Sequence, residues 1–331
     1  MKAPTTMLDV VCFGEILWDL FEESPRGREP IARTFRRELG GAPANVATGL
    51  ARLGARAAVV GGVGRDRFGE ALVDHLERDG VDTRFVRRLP ARTGLTFVVR
   101  DARGEPDFLF YRHASADLSI RAEHVTPSMG RARWALVGTS TLMTPELAAA
   151  TVRFLEVAAR GNAHLLLDLN VRAHLWKDRT TMRETIAALA GGASIIKASE
   201  ADLREVAGGR GGLKWLAKHA PQASWLVTRG AGIATATGEH GQVSLPALRA
   251  RCVDATGAGD AFIAGALAAL LAAGAVPGSP SWSDPRVWTA ALRAGHIMGK
   301  KAVALPGAVA GVVDLGAARA AVASAAVRRS R

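Results

Sequence analysis

The run "VDATGAGDAFIAGALAAL", Val253 to Leu270, joins three small residues, Gly257, Ala258 and Gly259, to an acid, Asp260, where the Ala- and Leu-rich continuation predicts a helix. Small residues at a helix start present free backbone N–H groups to an oxyanion, and the helix dipole favours negative charge there. A carboxylate at the same place allows two readings. Asp260 can cap the helix by accepting hydrogen bonds from first-turn amides. It can equally accept the proton of a hydroxyl that attacks a phosphate held by those amides, a role worth about 10²–10⁴ in rate. The segment alone leaves both open. Two common nucleotide loops are excluded: Phe262 stands where G-x-G-x-x-G needs its third glycine, and no G-x-x-x-x-G-K-[ST] run exists in the chain. The small residues Ala261, Ala264 and Gly265 leave the new helix with faces suited to close packing.

Such a helix needs a scaffold. Short apolar runs alternate with helical patterns: "DVVCFG" from Asp9, a helix over Pro43 to Gly54, the strand "AAVVGGVG", and the helix "FGEALVDHLERDG". The rhythm resumes with "RWALVGTS", a helix over Pro145 to Arg160, "AHLLLDLN", a helix near Thr181 to Ala190, "ASIIKAS" and "ASWLVTRG". Strands apolar at nearly every position are buried on both faces, which predicts a parallel sheet covered by helices, with ligands gathering where the strands end. Two stretches break the pattern. "EILWDLFEESPRGREPIARTFRRELGG" and "TGLTFVVRDARGEPDFLFYR" contain strand-like pieces separated by Pro and Gly, the second a hairpin turning at Ala102 to Pro106. Both leave and re-enter the sheet at one end, so the segments 15–40 and 93–115 are expected to form a small β-layer over the crevice. There are no repeats and no linker, and 1–331 is read as a single domain.

Bulk properties narrow the function. The chain has 331 residues, 48% of them hydrophobic, and a formal net charge of +12. Its basic residues are scattered among Asp and Glu, as in "GRDRFGEALVDHLERDG", and this reads as solvated helix faces, not a nucleic-acid surface. Cys12 and Cys252 stand in apolar surroundings and are expected to be buried free thiols, in keeping with a reducing cytoplasm. "MKAPTTMLDV" lacks the apolar core of a signal peptide and no apolar run reaches spanning length, so a soluble cytoplasmic protein without membrane contacts is expected.

"VDATGAGDAFIAG" resembles the C-terminal signature of the ribokinase family, the PfkB-type carbohydrate kinases, and "ELGGAPANVATGLARLGARAAVVGGVGRDRFG" (Glu38 to Gly69) resembles the N-terminal one. The likeness covers nearly the whole chain and implies a ribokinase-like three-layer α/β/α fold, with a mostly parallel central sheet and a small β-sheet lid. It also implies roles. Asp260 becomes the base that activates a sugar hydroxyl, and Gly257, Ala258 and Gly259 the anion hole for the γ-phosphate of ATP. Gly40, Gly41, Asn45 and Asp19 match residues that bind the sugar. Thr228 and Gly230 in "VTRG" fall on the nucleotide side. "KASE" occupies the place of an N-x-x-E motif linked to Mg2+ and phosphate, with Lys197 in place of the Asn and Glu200 acting on magnesium through water. Asp254 and Thr256 match oxygen donors to an activating monovalent cation such as K+, completed by a loop near Pro306 to Val309. His296 stands where relatives commonly carry an Asn near the adenine or ribose; its other reading is a helix-face residue packed beside Met298.

Within the family, "GEILWDLF", "GGAPANVA", "FLFYRHASADLSI" and "DLNVRAHLW" are most similar to fructokinases, which implies phosphorylation of D-fructose at O6. Arg112 and Arg172 follow strands at the crevice and are expected to touch the substrate. A guanidinium fork binds hydroxyls, but it binds a carboxylate better. The 2-keto-3-deoxygluconate kinases share a similar D-x-N-x-R-x-x-L-W stretch, so a sugar acid is the alternative substrate, followed by ribose and other sugars. A non-catalytic sugar or nucleotide sensor is disfavoured by the intact "GAGD", and an NAD-dependent oxidoreductase by the missing glycine motif. Lid strands in this family often pair between subunits, which implies a homodimer through the lid.

Overall fold

The computed structural model describes residues 7–23, 32–100, 106–304, 307 and 315–326. In chain order the elements are β1 (Leu8–Phe13), β2 (Leu17–Glu22), β3 (Phe35–Gly40), α1 (Ala42–Arg52), β4 (Ala57–Gly64), α2 (Arg67–Arg78), β5 (Val86–Leu89), β6 (Leu95–Arg100) and β7 (Pro106–Tyr111). They continue with β8 (Ala132–Gly138), α3 (Pro145–Arg160), β9 (His164–Asp168), α4 (Arg179–Ala190), β10 (Ile195–Ser199), α5 (Glu200–Ala207), α6 (Gly212–His219) and β11 (Ser224–Thr228). The last are β12 (Ile233–Gly238), β13 (Gly241–Pro246), α7 (Ala258–Ala272), α8 (Pro285–Ala302) and α9 (Gly316–Ala326).

The large sheet runs β13-β12-β11-β10-β9-β8-β1-β4-β5. It is parallel from β11 to β5, as the doubly apolar strands require. The alternation of β1 explains the three layers. Val10 and Cys12 point into a core shared with α1, α2, α7, α8 and α9, while Val11 and Phe13 point into a second core shared with α3 to α6. The antiparallel hairpin β12–β13 at the far edge was not anticipated from the sequence.

Helix α7 lies deep in the first core, apolar on every side. Its small residues let neighbours come close. A Cβ at Gly265 would fall 2.5 Å from the Ala294 carbonyl oxygen on α8, and one at Gly49 on α1 would fall 2.7 Å from the Ala264 side chain.

The two irregular stretches build the expected lid, a four-stranded sheet in the order β3-β2-β6-β7. Pairing is antiparallel except between β2 and β6, which run parallel. The hairpin turn expected at Ala102 to Pro106 lies outside the described residues apart from Pro106, which opens β7. Period-two alternation divides β2 between body and ligand. Trp18 turns toward α2, its indole N–H donating to the Phe68 carbonyl at 2.9 Å with the Arg37 guanidinium 4.1 Å above its ring. Leu17 and Asp19 turn the other way, into the cleft.

The two cysteines part company. Cys12 is buried and burial pushes its thiol far up, whereas Cys252 is exposed, because it precedes α7 in a stretch that forms no strand. Among the described residues, no helix is long and apolar enough to cross a membrane.

Candidate active site

Strand ends, the α7 N-terminus and the lid enclose a cleft of about 430 Å³. Its body side carries Asn45, Lys197, Thr256, Gly257, Gly259 and Asp260, and its lid side carries Asp19, Thr96, Phe108, Phe110 and Arg112.

The α7 end is set by Gly257, the helix N-cap, which takes the left-handed conformation (φ 72°) that glycine tolerates best. Asp260 therefore sits inside the first turn and is not the N-cap. Its carboxylate accepts a hydrogen bond from Asn45 Nδ2 on α1 at 2.8 Å. The group is buried, and its pKa is pushed up to about 7, first by desolvation and then by the charge of Asp168. Asn45, Lys197 and Arg172 act in the opposite sense. Ala258 does not face the cleft: its N–H is turned to the Ala255 carbonyl at 3.2 Å, which leaves Gly257 and Gly259 as the lining residues of the expected anion hole.

Lys197 on β10 and Asp168 on β9 are register partners on neighbouring parallel strands. Their ion pair, Nζ to Oδ1, is 3.2 Å long and buried. A Cβ at Gly259 would lie 2.8 Å from Lys197 Nζ, so the ammonium is directly against the α7 first turn. Burial alone would lower this lysine, but Asp168, Asp202 and Asp260 together raise it, and it stays charged. The Asp168 carboxyl is raised by burial.

At the lid end, Asp19 is buried and pushed up to about 7, by desolvation and then by the charge of Asp260, while Arg112 counteracts. Gly40 lies beneath it: a Cβ there would meet the Asp19 carboxyl carbon at 2.5 Å. Gly41 is held at φ 97°, and a Cβ on it would fall 2.3 Å from the Glu15 carbonyl oxygen. Arg112 is bound by Asp117, through Nε at 2.7 Å and Nη2 at 2.6 Å. Arg172 lines the cleft as well, lowering Asp168 and Asp260.

A glycine-containing helix start, a buried carboxylate and a buried lysine thus converge beneath the four-stranded sheet, groups of the kind phosphoryl transfer uses. The sequence matches the model of the pfkB family carbohydrate kinases over residues 7–314. The chain belongs to that family. It is 37% identical over 241 residues to a fructokinase from Klebsiella pneumoniae, covering 71% of this chain and 78% of that one. A fructokinase structure with bound ATP from Xylella fastidiosa superposes with a TM-score of 0.80 at 29% identity, covering 98% of this chain and 99% of the other. A Vibrio cholerae fructokinase in its fructose-, ADP- and calcium-bound form gives 0.82 at 25%, covering 96% and 99%. This pfkB kinase is thus a phosphotransferase acting on a hydroxyl acceptor, with the ribokinase-like fold.

Several positions expected to touch ligand stand apart from the cleft of this kinase. Glu200 is exposed at the start of α5, paired with Arg204 at 3.4 Å and Arg229 at 4.0 Å. Thr228 ends β11 and Gly230 lies two residues beyond it, both outside the cleft lining. His296 is buried in α8, its Nε2 bonded to the Leu245 carbonyl at 2.9 Å and its ring edge-on to Phe262, so packing accounts for it. Asp254 is buried beside the cleft: Oδ1 accepts from the Thr256 N–H and hydroxyl at 2.9 and 2.8 Å, and Oδ2 from the Gly307 N–H at 3.2 Å. The rest of the loop near Pro306 to Val309 lies outside the described residues.

Sequence reasoning missed Asp168, Glu15 and Ser140. Glu15 Oε2 accepts from the Ser140 hydroxyl at 2.7 Å, and both residues line the cleft. Asp168 carried a signal, an acid closing an apolar parallel strand at the ligand edge.

Proposed function

We propose that this kinase transfers the γ-phosphoryl group of ATP to the 6-hydroxyl of D-fructose, with Asp260 as the base. The reading rests chiefly on one observation, the buried Asp260 carboxylate held by Asn45 beside the Gly257 to Gly259 turn and Lys197. Asn45 occupies one carboxylate oxygen and leaves the other for a hydroxyl proton. The amides of Gly257 and Gly259 and the ammonium of Lys197 meet the charge of the transferring group, which is where preorganised donors contribute most. Asp19, Gly41 and Arg112 receive the sugar hydroxyls under the lid, whose Phe108 and Phe110 exclude water. The fructokinase names of the relatives favour fructose over ribose and over sugar acids.

Magnesium bound to ATP neutralises phosphate charge. Among the described residues no group of three or more His, Cys, Asp or Glu could hold a metal. Such an ion would be held by the ATP phosphates and water, whereas Glu200, paired with Arg204 and Arg229 at the surface, stands outside the cleft. Asp254 and Thr256 offer oxygen donors alone, a set that suits a monovalent cation. Leu109 and Tyr111 are exposed on the edge strand β7, in keeping with a homodimer through the lid, which sedimentation would detect.

A coupled assay with ATP and a sugar panel tests the substrate. D-Fructose should exceed 2-keto-3-deoxygluconate and D-ribose in kcat/KM by about tenfold or more. Faster turnover of the keto acid would overturn the fructose reading.

A further inference from the structure

Arg112 enters the cleft already engaged. Its Nε and Nη2 both converge on Asp117 Oδ2, and the Asp117 side chain is completely buried. The other carboxylate oxygen, Oδ1, is 2.5 Å from the Ser115 hydroxyl, which also lies 2.7 Å from the Arg112 carbonyl. Asp117 is wedged tightly: a Cβ at Gly94 would fall 2.5 Å from that same Oδ1. Its backbone is part of a short 3₁₀ turn, Ala116–Leu118, anchored by the Ala116 N–H on the Arg92 carbonyl at 2.8 Å. The pair is therefore a built part of the lid's junction with the body.

The consequence lies in what remains of the guanidinium. A ligand carboxylate is drawn to a guanidinium by its uncompensated charge, whereas a hydroxyl needs only a donor. Asp117 takes the Nε–Nη2 edge, which leaves the end-on Nη1–Nη2 edge for a ligand, on a guanidinium whose charge a buried carboxylate already offsets. The surroundings add a charge argument. Glu15 and Asp19 are the next charges acting on Arg112, and both line the cleft, so a ligand carboxylate at this end meets two protein carboxylates beside one neutralised arginine. Arg172 is the cation of the opposite end, near Asp168 and Asp260.

We propose that Asp117 is the positioning residue that sets substrate class in this kinase: by fixing Arg112 through one edge and offsetting its charge, it makes that arginine a reader of sugar hydroxyls and turns away sugars bearing a carboxylate. The proposal rests on the fructose reading above. It adds a cause for the preference at a residue that touches no substrate itself.

The test compares kcat and KM for D-fructose and 2-keto-3-deoxygluconate in the unaltered enzyme, Asp117→Asn, Asp117→Glu and Ser115→Ala. In Asp117→Asn the fructose KM should rise about tenfold with a smaller change in kcat, and the fructose-to-keto-acid ratio of kcat/KM should fall about tenfold or more. Ser115→Ala, which keeps the ion pair but loosens it, should lower the same ratio about two- to threefold. Asp117→Glu, which restores the charge, should recover part of the ratio. Equal losses on both substrates with an unmoved ratio would make Asp117 merely structural and overturn the proposal. Should Asp117→Asn fail to fold, an unmoved ratio in Ser115→Ala overturns it. Preference for the keto acid in the unaltered enzyme would instead overturn the fructose reading, an outcome distinct from a fructose-preferring enzyme whose ratio no variant shifts.

Discussion

At one end of the cleft, Gly257, Asp260 and Lys197 ride on α7 and β10, elements embedded in the main body. At the other, Asp19, Thr96 and Arg112 ride on or just beyond the strands of a separate four-stranded sheet, fastened to the body by Trp18 on α2 and by the Arg112–Asp117 pair. The charges differ in the same way. The body end mixes Asp168 and Asp260 with Lys197 and Arg172, while the lid end sets Glu15, Asp19 and Asp117 around one arginine. The groups proposed for chemistry are thus mounted on packed core elements, and those proposed for sugar recognition on a separate four-stranded sheet.

The largest effect should come from the body end. Asp260→Asn keeps the size and the contact with Asn45 but removes the base, so kcat should fall by about 10²–10⁴. Calorimetry should find fructose and ATP-analogue affinities little changed; a near-normal kcat would reduce Asp260 to a structural residue.

Lys197→Met should come next, with kcat down about a hundredfold for loss of one preorganised charge at the anion site. It also leaves Asp168 buried without its partner, a loss of about 3 kcal/mol or more in thermal unfolding. The double variant Asp168→Asn/Lys197→Met should recover stability and not rate, separating the pair's two roles.

The pH profile divides the ends further. Burial holds both Asp260 and Asp19 up at about 7. A base must be ionised, so kcat/KM should fall as pH drops through about 7 and level off above it. Asp168→Asn removes the like charge next to Asp260 and frees Lys197, both of which lower its pKa, so this acid limb should move to lower pH. A limb that stays in place would assign it to another group.

The smallest effect belongs to the lid end. Asp19→Asn should raise the fructose KM about tenfold with a lesser loss of kcat, because it removes a binding contact and not the proton acceptor. A kcat loss equal to that of Asp260→Asn would erase the distinction between the two ends.

The same division marks what the sequence discloses. The "GAGD" segment alone leaves Asp260 open between cap and base, and its proposed role comes from the family resemblance; its small residues do let α1 and α8 close in on α7. The layers were legible from doubly apolar strands. Hairpin β12–β13 escaped because "IATATG" and "GQVSLP" are short, weakly apolar strands, of which β13 is the sheet edge. Pairings across the chain escaped too: Lys197 meets Asp168 through strand register, Glu15 meets Ser140 across 125 residues, and no local pattern encodes either. His296 and Glu200 were read by position in a motif, yet one is bonded into the α8 packing and the other is paired with arginines at the surface.

The central claim concerns where Asp260 points. A crystal structure of the kinase with D-fructose and a non-hydrolysable ATP analogue should place an Asp260 carboxylate oxygen about 2.6–3.2 Å from the sugar 6-hydroxyl, nearer to it than to any phosphate oxygen. An Asp260 carboxylate bonded to the first-turn amides of α7, with the sugar hydroxyl out of its reach, would contradict the account.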